Sequence, residues 1–303
     1  MTCQRQGGRR VDEQLRRALG ENAMGFKTIL VPVEQHDLMN SILETTLLLA
    51  RKFDSYIEGF ALRAAIPAAY TMANVGAVPV SSSKQEITEH AKLARNLYEK
   101  FMQEHGVPCG SDSAALSSNW LEHAPEDDQF VGSYGRIFDV TVLGRPGRNP
   151  KGSRMTTLEA ALFETGRPVL VAPPSPRPRM GTNVLIAWNC STEQARTVAF
   201  AMPILKLASR VVVLTVEGGA AVTGPTDQQL CRYLQLNGVP ARRLTVSLDG
   251  QLTGEAVLAH ATALGCDLLI KGAYTQGRLR QLVFGGTTRY ILNNATLPVF
   301  MAH

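Results

Sequence analysis

Lys27-Thr-Ile-Leu-Val-Pro-Val33 and Asn183-Val-Leu-Ile-Ala-Trp188 open two copies of one pattern in this 303-residue chain. Each is a short apolar run rich in β-branched residues, which reads as a strand buried on both faces. A helical pattern follows each at once. After the second run, Ser191 to Gln194 fits a capping box, which satisfies unpaired N–H groups at a helix start. Behind it Ala195, Val198, Ala199, Met202 and Leu205 keep helical spacing. Later landmarks repeat as well. Asp139-Val-Thr-Val-Leu-Gly144 matches Asp267-Leu-Leu-Ile-Lys-Gly272 at an offset of 128 residues. Gly166-Arg-Pro-Val-Leu-Val-Ala172 matches Ala295-Thr-Leu-Pro-Val-Phe-Met301 at about 130. The opening strands are offset by 156, so the first copy is longer in its middle. Residues 63–83, with Pro67, Gly76, Pro79 and three serines, account for the excess as a long loop.

Between the landmarks, strand and helix patterns alternate. The first copy reads as strand Tyr56–Leu62, helix Lys84–His105, a weaker strand near Ser113–Ser117 and a short helix around Gln129–Arg136. The second reads as strand Arg210–Val216, helix Thr226–Asn237, strand Arg243–Leu248 and helix Leu252–Leu264. Such alternation implies parallel strands joined by right-handed crossovers. The expected fold class is α/β: two tandem five-stranded parallel-sheet domains at residues 24–173 and 180–303. Pro173 to Arg179, with four prolines in seven residues, is the expected linker. Residues 1–23 are read as an extension or an upstream start, with Met24 opening the folded part.

Composition narrows the function classes. Net charge is +5, and residues 1–23 alone carry five arginines against three acids. The remainder is too mildly basic to argue for a nucleic-acid surface. Cys3, Cys109, Cys190, Cys231 and Cys266 are scattered and form no CxxC pair, which argues against a zinc site or a disulfide framework. That pattern fits a reducing compartment, so the cytoplasm is expected. No apolar run approaches the roughly 20 residues needed to span a bilayer, and the N-terminus lacks the apolar core of a secretory signal. The histidines show no metal-ligand spacing, so no metal site is expected.

Lys271-Gly-Ala-Tyr-Thr-Gln-Gly-Arg-Leu-Arg-Gln-Leu-Val-Phe-Gly-Gly-Thr-Thr-Arg289 is similar to the phosphate loop G-x2-G-x9-G-(S/T) of the universal stress protein family. Trp188-Asn-Cys-Ser191 resembles the Trp-Asn-Gly-Ser turn common in tandem members. The likeness runs over residues 24–303 and implies an adenine-nucleotide α-hydrolase-like fold. It also implies that the last strands, Pro168–Ala172 and Pro298–Ala302, pair within the chain as an intramolecular pseudo-dimer. Glycines let backbone approach phosphate oxygens, and N–H groups at a following helix start form an anion cradle. Both copies depart from the motif. The second has Gly272, then Thr275 at the second glycine, then Gly285, with Gly286, Thr287 and Thr288 next. The first keeps Gly144 and Gly147 but places Thr157 at the third glycine, among Arg145, Pro146, Arg148, Lys151 and Arg154.

The family's first strand usually ends in an acid that contacts adenine or ribose; here Glu34 and Asn189 stand there. Arg278 and Arg280 are placed either to pair with phosphates or to remain solvated loop charges. The resemblance therefore implies ATP or a related adenine nucleotide, with or without magnesium, in the second domain. The protein would act in stress response through nucleotide-dependent interactions, with weak ATPase activity at most. A nucleotide-free interaction scaffold with degenerate loops is the alternative. An enzyme of the wider group is disfavoured, since no nucleophile elbow, Walker loop or dinucleotide fingerprint is present. A His36/Asp37 catalytic pair and a redox-sensing Cys190 at a helix start are the sharper minority readings. Homodimerisation stays open.

Overall fold

The structure is a computed structural model that describes residues 25–62, 80–110, 115–125, 128–146, 153–219, 221–273 and 286–303. In its first half the elements are β1 (Thr28–Val33), α1 (Met39–Phe53), β2 (Tyr56–Ala61), α2 (Val80–Glu104) and β3 (Ser117–Trp120). They continue with α3 (Asp128–Tyr134), a 3-10 turn at Gly135–Ile137, β4 (Val140–Gly144), α4 (Met155–Glu164) and β5 (Val169–Ala172). In the second half they are β6 (Asn183–Ala187), α5 (Thr192–Leu207), β7 (Arg210–Glu217), α6 (Asp227–Leu236) and β8 (Ala241–Ser247). That half closes with α7 (Thr253–Ala263), β9 (Leu268–Ile270), α8 (Gly286–Asn294) and β10 (Val299–Met301).

The ten strands among the described residues join one sheet in the order β3-β2-β1-β4-β5-β10-β9-β6-β7-β8. Every pairing is parallel except the central one, where β5 and β10 run antiparallel through Val171–Val299, Leu170–Phe300 and Val169–Met301. The expected pairing of the last strands is therefore what joins the halves, and each covers an edge the other would expose. Arg145 reinforces the junction, its Nη1 donating to Ala295 O just beyond α8 at 2.8 Å.

Strand alternation sends side chains into two apolar layers, one on each face. Ile29, Val31 and Val33 enter one layer with Leu170, Val184, Ile186 and Phe300. Leu30 enters the other with Val171, Leu185, Leu269 and Val299. Each layer crosses the β5–β10 seam without a break. The repeat extends to hydrogen bonding. Asp139 Oδ2 accepts from Lys27 N at 2.7 Å and Thr28 N at 2.9 Å. Asp267 Oδ1 accepts from Thr182 N and Asn183 N, both at 2.9 Å. In both halves the acid before the fourth strand thus holds the backbone that enters the first.

Three sequence expectations need correction. The first-copy helix begins at Val80 rather than Lys84. The weak strand lies at Ser117–Trp120 rather than Ser113–Ser117. Its register is set by backbone pairing with Tyr56–Gly59, and Ser-Ser-Asn-Trp carries little strand signal of its own. The capping box expected at Ser191 is half formed. Ser191 Oγ accepts from Gln194 N at 3.1 Å, but the buried Gln194 side chain turns to β9, its Oε1 accepting from Gly272 N at 2.5 Å. The reciprocal box instead forms at Thr226 and Gln229.

Candidate functional site

Within each half the strand order reverses between the first and fourth strands, and the C-terminal ends of that pair bound the crevice where open α/β sheets bind ligands. In the first half these ends carry Glu34 and Gly144. In the second they carry Asn189 and Lys271–Gly272.

The first crevice is filled by its own side chains. Its cavity, lined by Glu34, His36, Gly144, Ser153, Arg154 and Thr157 among others, has a volume of about 10 Å³. That is room for about one water molecule. Arg154 crosses it, with Nη2 at 2.9 Å from Asp128 Oδ1 and 3.4 Å from Glu34 Oε1. Thr157, expected in the phosphate loop, sits buried in α4 and donates its hydroxyl to Asp128 Oδ1 at 2.6 Å. A Cβ added to Gly144 would meet Ser153 and Ile42, so this glycine accommodates the chain itself. Gly147 lies outside the described residues.

Burial pushes the Glu34 carboxyl up from its ordinary 4.5 to about 7; Arg154 acts against the rise and Asp128 adds to it. The folded state therefore holds this proton more tightly than the unfolded chain. The associated stability is fully present below about pH 4.5 and is lost as pH rises through about 7. Glu34→Gln is expected to remove that decline, worth up to about 3 kcal/mol. Urea unfolding at pH 5 and pH 8 checks it; an unchanged pH slope would refute the assignment.

His36 does not serve as a base toward Ser153. Its Nδ1 accepts from Leu38 N at 3.2 Å, which leaves the proton of the neutral ring on Nε2, 3.4 Å from Ser153 Oγ. Burial lowers the pKa of this imidazole, favouring the neutral ring.

The second crevice is built differently. Asn189, after β6, accepts through Oδ1 from Ser191 N at 3.2 Å. Trp188 is buried and donates Nε1 to Pro225 O at 2.8 Å, anchoring the turn. Cys190 has φ of +65°, in the left-handed region where a side chain is strained and glycine is not. Burial raises its thiol pKa, the reverse of what a redox-sensing thiolate needs. Gly272 packs against α5, and an added Cβ would lie 2.5 Å from Gln194 N. Gly286 begins α8, and an added Cβ there meets nothing within 4 Å among the described residues. Thr288 is buried two residues on. Thr275, Arg278 and Gly285 lie outside the described residues.

The residue the motif reading passed over is Lys271. It is 7% exposed, with Nζ donating to Gly272 O at 2.7 Å and to Thr288 Oγ1 at 3.0 Å. Burial lowers its pKa to about 8, with Glu193 acting the other way. The available signal was a lysine directly abutting the buried run Leu268–Ile270. Away from both crevices, a hollow of about 370 Å³ opens beside the β3 edge, where Tyr98 packs against Trp120. Among the described residues no group of three or more His, Cys, Asp or Glu is placed to hold a metal. No helix among them is long and apolar enough to cross a membrane.

A mostly parallel, twofold-repeated sheet with crevices at both strand-order reversals defines a tandem Rossmann-like α/β protein. Residues 226–303 match the universal stress protein family model. A universal stress protein of Synechocystis, Slr1230, is 26% identical over 171 residues, covering 54% of this chain. The chain spans 57% of the length of that curated relative. The solved universal stress protein of Archaeoglobus fulgidus shares the fold at a TM-score of 0.66 and 13% identity, over 91% of this chain and 97% of its own. A Pseudomonas aeruginosa protein described as functionally unknown does so at 0.55 and 15% identity, over 93% of each chain.

Proposed function

We propose that this chain is a nucleotide-responsive universal stress protein, organised as units 24–173 and 180–303, whose second unit binds ATP or a related adenine nucleotide. The observation that carries the reading is the contrast between the crevices. The first is closed by Arg154, Glu34 and Asp128. The second has a buried ammonium at the opening of α8, where the helix dipole favours an anion. Asn189 would contact the base or ribose, with Gly272, Thr275, Gly285, Gly286, Thr287 and Thr288 surrounding the phosphates and Arg278 reaching them. Binding would alter the protein's interactions in the cytoplasm under stress, with hydrolysis incidental.

Calorimetric titration of the full chain with ATP tests this, beside Gly286→Val. Because an added Cβ at Gly286 meets no neighbour among the described residues, the variant should fold as the parent does while narrowing the cradle. One equivalent per chain, weakened at least tenfold in Gly286→Val, is expected. Two equivalents would reopen the first unit to consideration, and no binding would leave the scaffold reading.

A further inference from the structure

We propose that the second unit takes its nucleotide phosphates without a magnesium ion, Lys271 supplying the positive charge that the metal would otherwise bring. This rests on the nucleotide reading above and adds to it how the phosphate charge is met.

The donor set does not suit magnesium. That ion binds oxygens at about 2.0–2.1 Å and in nucleotide sites uses one or two carboxylates beside the phosphates. Among the described residues no carboxylate lies within 4 Å of Lys271 Nζ; its ionic neighbour is Glu193, on the first turn of α5, acting at longer range. From Leu268 to His303 the sequence has no Asp or Glu, against Lys271, Arg278, Arg280 and Arg289.

The motif's closing Ser or Thr position is Gly286 here, and the nearest buried hydroxyl, Thr288, is engaged. In phosphate loops of the Walker kind, a Ser or Thr at the helix start turns its oxygen to the metal. Here Thr288 Oγ1 accepts from the Lys271 ammonium at 3.0 Å. A magnesium ion on that oxygen would stand no more than about 5 Å from the ammonium, close enough for the two cations to repel each other.

The ammonium is itself badly matched to its surroundings unless an anion arrives. Lys271 is buried and lies at the N-terminal end of α8, the positive end of the helix dipole. Cations are favoured at the opposite end. A bound polyphosphate would neutralise both charges, and metal-free ATP, with its higher negative charge, would do so best.

The test compares ATP titrations in EDTA and in excess magnesium, for the full-length parent and for Lys271→Met. Methionine keeps an unbranched chain in the buried space and removes the charge. The parent should bind in EDTA within about threefold of its affinity in magnesium. Lys271→Met should lose at least tenfold in EDTA and regain part of it in magnesium. A parent that needs magnesium to bind would overturn the proposal while leaving the nucleotide reading intact. So would a Lys271→Met protein that binds in EDTA as the parent does. Absence of binding in both buffers would remove the nucleotide reading and this proposal with it.

Discussion

Phe300→Ala is expected to lower the unfolding free energy by about 3–5 kcal/mol, the range for emptying a buried aromatic site. The ring is fully buried at the seam between the halves. It meets Phe26 edge-on, with centroids 5.6 Å apart, and Phe26 in turn meets Phe53 at 5.4 Å. Phe26 and Phe53 belong to the first half and Phe300 to the second, so both lose packing when the ring is removed. Guanidinium unfolding followed by far-ultraviolet circular dichroism would show both halves weakened. A shift confined to the second half, or one below about 1 kcal/mol, would mean the seam is not a shared core.

Gly272→Val should be nearly as damaging, for a different reason. The added Cβ would lie 2.5 Å from Gln194 N, 2.8 Å from Glu193 C and 2.9 Å from Gln194 Cα. These are backbone atoms of the first turn of α5, so no rotamer change relieves the overlap. The turn must move, and the 2.5 Å hydrogen bond from Gly272 N to Gln194 Oε1 is strained or lost with it. A cost of about 3 kcal/mol is expected, at the upper end of ordinary overpacking, together with loss of ATP binding. Thermal melting is the direct measurement. A drop of several degrees is expected for Gly272→Val and almost none for Gly286→Val. If the two variants melted alike, the distinction between a packing glycine and an open one would fail.

That distinction shows what the motif hid. Gly272 and Gly286 stand in one Gly-rich stretch and read alike, but one supports the neighbouring helix and the other opens the helix start. Thr157 was placed by counting from Gly144, and folding turned it into α4 to serve Asp128. Arg154 counted in the sequence as a basic neighbour of a degraded loop; in the fold it bridges Glu34 and Asp128 and closes the crevice. Cys190 was legible as a departure from glycine, but its positive φ and raised thiol pKa are properties of the folded turn.

The sequence by itself determined most of the strands, their alternation with helices and the repeat, which follow from local apolar periodicity and turn chemistry. The pairing of β5 with β10 was expected from the family resemblance, and the place of β3 was set by its partner strand. The tertiary structure alone decided which crevice is closed and which carries a buried charge. Glu34, Asp128 and Arg154 are far apart in sequence, as are Lys271 and Thr288, and only the parallel crossovers bring their side chains together. Whether a polar group is solvated, paired or desolvated depends on that assembly, because its energy is set by neighbours that sequence spacing does not reveal.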